Sequence, residues 1–513
     1  MLERPLTARD WIGFMIMVVG MFMAILDIQI VSSSLSEIQA GLAASADEIS
    51  WVQTSYLIAE VVAIPLSGFL SRLLSTRLLF TISAAGFTAA SVLCAFAWDI
   101  DSMILFRAVQ GFVGGAMIPT VFATSFAVFP PARRNFLSVL IGLVATLAPT
   151  LGPTLGGYIT DLFSWHWLFL ANVLPGIAVA VGVWLLVDYD RPDWSLMTHF
   201  DYAGLVLMAT FLGALEYVIE EGPRNDWFGD DAIRGMAAVS AVAGVLFFWR
   251  VLAYRQPIVD IRAFADANFA LGSMYSFVIG IGMYGSVYLL PLFLAHIRGY
   301  NALEIGTVMM VTGGFQFMSA PVAGRLAGLV DLRAMLVFGL LMFGGGVWLQ
   351  HYMTAEWGYW ELFLPQAVRG FSLMFLFIPV NAIALGTLPP QRLKNASGLY
   401  NLMRNLGGAI GLAAINTVLT DRLALHWARL GENLTPSNPQ VQAFLEASGA
   451  AMDGQLGSNG DAGAVKLLAQ LVYRQAEVMT IADTQVIMAA IFFGALLLIP
   501  LLKKPRAAGA GAH

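Results

Sequence analysis

Three charged side chains stand inside long apolar stretches of the sequence, where an unpaired charge is costly. Asp27, Glu60 and Arg107 each interrupt a separate stretch. A charge at the centre of a membrane helix costs about 2.5–3.5 kcal/mol on insertion scales, so it is usually paired or functional. A desolvated carboxylate holds a proton and releases it when water or a cation arrives. These residues therefore predict a proton-coupling site with Arg107 as cationic partner; the alternative is a static ion pair that only fixes helix packing.

Further charged and polar residues lie in later apolar stretches. Arg369 is placed deep in its stretch, and it is predicted to be a buried charge of the substrate cavity, as is Gln110. Arg404 lies nearer the end of a stretch, so it either joins that cavity or extends its long side chain to the lipid headgroups. Glu216 lies close to a stretch end and is predicted to be an interfacial anchor.

Other kinds of chemistry find little support. Cys94 is the only cysteine, and His296 and His351 have no histidine partners at ligand spacing, so no metal site is expected. The sequence has no phosphate-binding loop or catalytic serine motif, and no basic block typical of nucleic-acid binding. We therefore expect a non-enzymatic protein without a cofactor, driven by an ion gradient.

The elements that carry these residues are membrane-spanning helices. Hydrophobic residues make up 58% of the chain and charged residues 12%, about half the charged fraction of a soluble domain. Apolar runs of about 17–25 residues predict transmembrane helices. We predict fourteen of them, at 11–33, 51–71, 78–97, 103–126, 138–160, 165–187, 203–219, 233–252, 269–295, 303–326, 334–350, 362–384, 397–419 and 481–501.

The basic residues predict the orientation of these helices. Seventeen of the 27 lysines and arginines fall on the side of the termini, seven on the other side and three within spans. Cytoplasmic loops retain positive charge, so both termini are predicted to be cytoplasmic. The loop 420–480 then lies outside, where its length favours a functional role such as docking over a passive linker.

An internal repeat indicates the architecture. Residues 65–77 are identical to residues 321–333 at five of thirteen positions, at an offset of 256. At an offset of 259, residues 108–112 match 367–371, and residues 130–133 match 389–392. The matches relate the second span to the tenth and the fourth to the twelfth, so the halves insert in parallel. We predict a six-helix half at 1–195, two inserted helices at 196–264 and a second six-helix half at 265–513. Such parallel repeats place a substrate site between the halves.

Several strings resemble one transporter family. Residues 105–111, LFRAVQG, resemble its arginine motif; residues 148–157, APTLGPTLGG, resemble its antiporter motif; LD at 26–27 and SGLYNLMRNLGG at 397–408 resemble further family segments. The chain thus resembles the fourteen-helix drug:proton antiporters (EmrB/QacA type) of the major facilitator superfamily. The DWF at 226–228, the PIVD at 257–260 and the long loop before the last helix are most similar to the Gram-negative EmrB group.

The resemblance implies roles for further residues. The antiporter motif consists of Pro149, Gly152, Pro153, Gly156 and Gly157. Its small residues let helices pack closely, which is expected to prevent leak across the membrane. Gating roles fall on residues of the two related loops: Gly68, Arg72, Arg77, Gly324 and Arg333. The first of these loops departs from many members of the superfamily, which carry Asp and Gly where this chain has Arg72 and Ser75.

The resemblance also implies the protein's surroundings. It predicts a multi-pass protein of the bacterial inner membrane that exports hydrophobic or amphipathic molecules in exchange for protons. The partners it implies are membrane lipids, an EmrA-like periplasmic adaptor and a TolC-like outer-membrane channel. Transport of one defined metabolite, or a receptor or scaffold without transport, are the alternatives; costly buried charges disfavour the scaffold.

Overall fold

The apolar runs fold as a bundle of long helices. The computed structural model describes residues 6–32, 34–45, 48–254, 256–432, 434–435, 437–456 and 460–503, and these contain no strand. The α-helices are α1 (Ala8–Ser32), α2 (Leu35–Leu42), α3 (Trp51–Leu74), α4 (Thr76–Ala95), α5 (Ile100–Gly114), α6 (Met117–Ala127), α7 (Pro131–Leu162), α8 (His166–Leu170), α9 (Val173–Leu186), α10 (Tyr202–Glu221), α11 (Asp231–Ala253), α12 (Ala267–His296), α13 (Ala302–Leu326), α14 (Leu332–Leu349), α15 (Tyr359–Gly386), α16 (Pro390–Glu432), α17 (Pro439–Leu456) and α18 (Gly460–Ala495). Short 3-10 segments lie at Trp194–His199, Gly222–Arg224, Trp227–Gly229, Ile261–Ala265, Gln350–Tyr352 and Leu496–Leu501.

Fourteen helical segments among the described residues are long and apolar enough to cross a membrane, which confirms the predicted number. The fourth span comprises α5 and α6, and the sixth comprises α8 and α9. The short helices α2 and α17 lie outside the spans. Every backbone polar group in a bilayer must be satisfied within the chain, which explains why apolar runs of this length become helices.

The segment 420–480 corrects the sequence interpretation, because it is largely helical rather than a loop. Helix α16 continues to Glu432, α17 follows, and α18 begins 21 residues before the predicted start of the last span. The extension is stabilised by α17 packing against α18 and by an edge-on contact between Trp427 and Tyr473, with ring centroids 5.6 Å apart. Its apolar residues are spaced among polar ones, so it has no run of membrane length.

The packing divides the bundle into halves. Helices α1 and α3–α9 pack among themselves, as do α12–α16 and α18. The inserted helices α10 and α11 pack against each other, and α10 also lies on α3 and touches α16. The insertion therefore contacts both halves on one side of the bundle.

We call the side of the membrane that carries Arg72, Asp190 and Lys394 the terminal face. There the halves are joined: Lys394 forms an ion pair with Asp190 and donates a hydrogen bond of 2.9 Å to the carbonyl of Ser71. Asn395 also exchanges two hydrogen bonds, of 2.8 and 3.0 Å, with the backbone of Asp260. This arrangement closes the terminal face between α3 and α16.

Candidate functional site

The N-terminal half is built around a fully buried ion pair. Arg107 on α5 donates from Nη1 to Oδ2 of Asp27 on α1 at 2.7 Å, and neither side chain is exposed. The Arg107 Nε donates to the carbonyl of Val52 at 3.1 Å, and its guanidinium lies 4.2 Å from the centroid of the Tyr56 ring. The structure thus brings two of the three predicted residues, Asp27 and Arg107, into direct contact.

Neutral residues add hydrogen bonds to this pair, while Arg107 Nη2 is buried without a hydrogen-bond partner among the described residues. Asn172 Nδ2 donates to Asp27 Oδ1 at 2.6 Å, and Gln110 Nε2 donates to the same oxygen at 3.3 Å. Gln110 also accepts from Arg107 at 2.7 Å and donates to Ser91 at 2.7 Å. Asp27 thus accepts hydrogen bonds from three donors, one guanidinium and two side-chain amides. Sequence reasoning missed Asn172 and Ser91, because uncharged polar residues are common in membrane helices.

Glu60 lies apart from this pair. Its side chain is 2% exposed, and it makes no hydrogen bond or ion pair with the residues that the structure describes. It remains within electrostatic range of Arg107 and Asp27 in its own half and of Arg404 in the other half. The carboxylate is therefore surrounded by charge but is not bonded to a donor.

Arg404 is a buried charge at the junction of the two halves rather than a headgroup contact. It is 3% exposed, and its guanidinium lies 5.2 Å from the ring centroid of Phe122 and 5.9 Å from that of Phe377. Its Nη2 donates to Asn401 at 2.6 Å, whereas its Nη1 is buried without a hydrogen-bond partner. Arg404 thus brings a partly unsatisfied cation from α16 to the junction with the N-terminal half.

Glu216 also differs from its prediction as an interfacial anchor. It is 4% exposed and within electrostatic range of Glu60 and Glu220. The reason is the position of α10, which packs on α3 and touches α16, so that its inner side faces protein instead of lipid headgroups. Nearby, Thr54 donates to Glu221 at 3.1 Å and joins the inserted helix to α3.

The C-terminal half carries a second buried arginine in the related position. Arg369 on α15 is 3% exposed, as predicted, and donates to Gln366 and, at 3.1 Å, to Thr312 Oγ1. Its Nη1 and the Nε2 of Gln366 are buried donors without partners. Within the described ranges Arg369 has no ion pair, and no carboxylate interacts with it electrostatically.

Two glycines show that the repeated frame is structural as well as sequential. A Cβ on Gly111 would lie 2.3 Å from the carbonyl oxygen of Tyr56, and one on Gly370 would lie 2.2 Å from that of Thr312. Each glycine lets its helix approach a neighbour closely, one in each half. The arginine and glutamine at the two sites are exchanged, with Arg107 and Gln110 against Gln366 and Arg369.

The antiporter motif lies on α7 and forms a seam with both halves. Pro149 and Pro153 lie inside this helix, and a Cβ on Gly152 would lie 2.2 Å from Gln29 Cβ on α1. On the side of the C-terminal half, Thr154 contacts Gly306 of α13 so closely that a Cβ there would meet its Oγ1 at 2.1 Å. The remaining motif residues, Gly156 and Gly157, lie one turn further along α7.

The predicted gating residues lie at the terminal face and differ between the halves. Gly68 packs directly on α16, since a Cβ there would lie 2.7 Å from Asn395 Cα. The corresponding glycine of the second half, Gly324, faces only the Val139 side chain at 2.6 Å. The arginines hold local positions: Arg72 Nε donates to the Gly68 carbonyl at 3.4 Å, and Arg77 lies over the Trp184 ring at 5.1 Å.

Arg333 completes this set in the second loop. Its backbone N–H donates to Asp331 at 2.9 Å and so helps to begin α14. Its own Nε is buried without a partner. The two loops are thus built differently, although they are related by the repeat.

Comparison with known proteins places this geometry among transporters. The family model described as Major Facilitator Superfamily matches residues 17–412. The chain is 42% identical over 483 residues to the colistin resistance protein EmrB of Acinetobacter baumannii, covering 94% of each chain. It is 31% identical over 493 residues to the multidrug export protein EmrB of Escherichia coli K12, covering 96% of this chain and 94% of that one.

A solved structure supports the same fold at much lower identity. The crystal structure of the human organic anion transporter MFSD10 (TETRAN) matches with a TM-score of 0.59 and 12% identity, over 95% of this chain and 100% of that one. At this level of identity the likeness concerns the fold alone.

Proposed function

We propose that this chain exports hydrophobic or amphipathic molecules in exchange for protons carried by Glu60. The chain belongs to the Major Facilitator Superfamily and is a multidrug efflux transporter of EmrB type. The observation that carries this proposal is the contrast between two of its buried carboxylates, Asp27 and Glu60. Asp27 is bonded to a cation and two amides, whereas Glu60 is 2% exposed and has no bonded donor among the described residues.

The contrast assigns different tasks to the two carboxylates. Asp27 accepts hydrogen bonds from Arg107, Gln110 and Asn172. It therefore holds Arg107 in place and joins α1, α5 and the start of α9. Glu60 has no such donors, so its proton can be exchanged with only a change in local hydration.

The position of Glu60 couples its proton to the movement of the halves. Ionised Glu60 attracts Arg404 of the C-terminal half, whose Nη1 is unbonded. Protonation removes that attraction and weakens one force that holds α3 near α16. A proton entering from outside and a substrate entering from the cytoplasm would then favour opposite arrangements of the halves, which is the requirement for exchange.

The test is transport into proteoliposomes under an imposed pH gradient. Glu60→Gln should abolish gradient-driven uptake while leaving substrate binding within about threefold, since the amide keeps the shape and loses the exchangeable proton. Glu356→Gln, in an exposed loop position, is the matched control and should transport like the parent. Undiminished gradient-driven transport by Glu60→Gln would exclude Glu60 as the proton carrier.

The proposal includes the inner membrane as location and cytoplasmic termini. The distribution of basic residues supports this orientation, with seventeen on the terminal face and seven on the other. The terminal face is then cytoplasmic, and the helical extension formed by the end of α16, α17 and the start of α18 projects into the periplasm. We call this extension the outer platform.

The outer platform is the proposed docking site for a periplasmic adaptor of the EmrA kind, which would pass substrate to a TolC-like outer-membrane channel. Residues 420–432 of α16 extend about 20 Å at 1.5 Å per residue, far enough to leave the membrane. A groove of about 670 Å³ follows it, lined by His296, Trp427, Lys466, Tyr473, Arg474 and Glu477 among others. Trp427 and Tyr473 are about 40% exposed there, as aromatic anchors of interfaces often are.

Adaptor docking can be separated from transport. Trp427→Ala should reduce copurification with a coexpressed adaptor at least about tenfold, in the range of an interface hot spot. Transport in proteoliposomes, which need no adaptor, should not change. Trp98→Ala, an exposed tryptophan elsewhere on the chain, is the control. Equal copurification of the parent and Trp427→Ala would exclude this groove as the docking site.

A further inference from the structure

The surroundings of Arg369 contain a charge without a counter-charge. An arginine remains protonated in proteins, and an isolated charge in a low-dielectric interior is strongly unfavourable. Arg369 is 3% exposed, and its hydrogen-bond acceptors, Gln366 and Thr312, are both neutral. Among the described residues no carboxylate forms an ion pair with it. The structure thus leaves one positive charge of the C-terminal half uncompensated.

The same place holds unused hydrogen-bond donors. Arg369 Nη1 and Gln366 Nε2 are fully buried and have no partner. They belong to residues three apart on α15, so the two side chains lie on one side of that helix. Gln366 Oε1 is already occupied by Arg369 and by Thr312 Oγ1, the latter at 2.6 Å, which turns its amide nitrogen into the free end. Two free donors on a positive site suit an acceptor with negative charge.

A cavity lined by Arg369, the neighbour of Gln366, lies at the boundary between the halves. It measures about 20 Å³, close to the volume needed for one water molecule. Its polar lining is made of hydroxyl groups from Thr146 and Thr150 on α7, Ser286 on α12 and Thr312 on α13, together with Arg369. The apolar lining consists of Met283, Val287, Met309, Phe343 and Leu373. The cavity thus joins a cationic end to an apolar wall.

We propose that Arg369 and Gln366 form an anion-binding site between the halves, which takes a single monoanionic group. A single arginine can neutralise one charge, which excludes polyanions. The negative charge can be supplied either by chloride or by the carboxylate of an amphipathic molecule. In the second case the apolar chain of that molecule lies on the methionines and Phe343. The second case rests on the proposed export of amphipathic molecules and requires the cavity to widen as the halves move.

Binding to the purified full-length chain in lipid nanodiscs tests the site without a proton gradient. The probes are octanoate, its neutral analogue octanamide, and chloride exchanged for gluconate at constant ionic strength. Calorimetry and the thermal unfolding midpoint report binding. The parent should bind octanoate or chloride, and Arg369→Gln should weaken that binding about ten- to a hundredfold, the effect of one charge-assisted hydrogen bond.

Further variants distinguish a binding role from a structural one. Arg369→Lys keeps the charge without the planar fork, so it should retain an intermediate affinity. Arg191→Gln removes an exposed arginine and should bind like the parent. Octanoate saturation without a chloride effect identifies a carboxylate ligand, and a chloride effect alone identifies the free ion. Either result supports the site.

Three outcomes would overturn the site. They are no binding of either anion by the parent, equal octanoate affinity in Arg369→Gln, and equal loss of octanoate and octanamide binding in that variant. Glu60→Gln should still bind octanoate, because the proton carrier is a separate group. Failure of the proton proposal would therefore show in transport by Glu60→Gln, and failure of the anion site in binding by Arg369→Gln.

Discussion

Arg107 and Arg369 lie in corresponding turns of α5 and α15, yet among the described residues only Arg107 of the two is paired with an anionic side chain. Arg107 is bonded to Asp27, Gln110 and the Val52 carbonyl, whereas Arg369 is bonded only to neutral side chains. At the offset of 259 that relates the halves, the position of Asp27 is occupied by Ser286, which lines the cavity beside Arg369. The duplication thus kept an arginine and a glutamine in each half but a counter-charge in only one.

This difference teaches how one frame can serve two tasks. In the N-terminal half the charge of Arg107 is neutralised within the protein by Asp27, so this ion pair can hold helices in fixed positions, although Arg107 Nη2 has no hydrogen-bond partner among the described residues. In the C-terminal half the charge is left for a ligand to neutralise, so the site is incomplete until something binds. The antiporter seam on α7 runs between them, with Gly152 against α1 and Thr154 against α13.

The largest expected effect is on the free energy of unfolding, when either the counter-charge of Arg107 or the charge of Arg369 is removed. Asp27→Asn leaves Arg107 buried without a counter-charge, and breaking a buried pair in this way costs about 3–5 kcal/mol. Arg369→Gln removes an uncompensated charge, so its unfolding free energy should stay within about 1 kcal/mol of the parent. Unfolding in mixed micelles measures both. Equal destabilisation by the two substitutions would contradict the contrast between the halves.

A double substitution serves as the control for this prediction. Asp27→Asn combined with Arg107→Gln removes both charges, so it should recover part of the stability that Asp27→Asn alone loses. No recovery would mean that the hydrogen bonds of Asp27 to Gln110 and Asn172, and not the charge pair, carry the cost.

A second prediction copies the missing counter-charge into the C-terminal half. Ser286→Asp places a carboxylate in the lining of the Arg369 cavity and should compete with external anions for the guanidinium. We expect octanoate affinity to fall at least about tenfold, or about 1.4 kcal/mol. Ser286→Asn, of the same shape without the charge, should keep most of the affinity. If both variants bind octanoate with the same reduced affinity, the loss of affinity is steric, and the competition between the new carboxylate and the anion is contradicted.

A third prediction uses the two glycines of the related loops. Gly68→Ala would force its Cβ against the backbone of Asn395, so the terminal face should open at a cost of about 1–3 kcal/mol, as for overpacking elsewhere. Gly324→Ala meets only the end of the Val139 side chain, which can rotate away, so its effect should be under about 1 kcal/mol. Accessibility of a cysteine placed at Ser71 measures the opening. Equal labelling of both variants would mean that the loops gate symmetrically.

The spans could be predicted from sequence because hydropathy is a local property of each run. The number of spans and the deep burial of Arg369 followed from hydropathy, whereas the repeat followed from identical residues at a fixed offset. The helices of segment 420–480 could not be predicted in this way, because they are stabilised by packing of α17 on α18 and the segment has no uniform apolar run. Length and composition predict a crossing but not a helix that continues beyond the membrane.

The candidate site could be predicted only where charge marks it. Asp27 and Arg107 were found because charges are rare in apolar runs, and a buried carboxylate needs a cationic partner. The burial of Glu216 and Arg404 depends on α10 and α16 packing beside α3, which no single-sequence pattern reveals. Asn172 lies 145 residues from Asp27, and nothing in its local sequence marks it as a donor to that carboxylate.

The smallest expected effect concerns the helix starts before the two arginines. Asp99 caps α5, accepting from the Ser102 backbone at 2.8 Å, while the related position before α15 is Gly358, whose N–H donates to Glu361 at 2.9 Å. The backbone hydrogen bond from Ser102 lowers the pKa of Asp99 below its ordinary value. A lowered pKa in the folded state stabilises the fold above the unfolded pKa, and this contribution is lost as the pH falls through the folded value.

Asp99→Ala should therefore speed hydrogen exchange in the first turn of α5 at neutral pH and remove the acid-dependent part of that exchange. Exchange at the start of α15 should not change, and a change at both helix starts would show that the halves are coupled more tightly than their separate charge centres indicate.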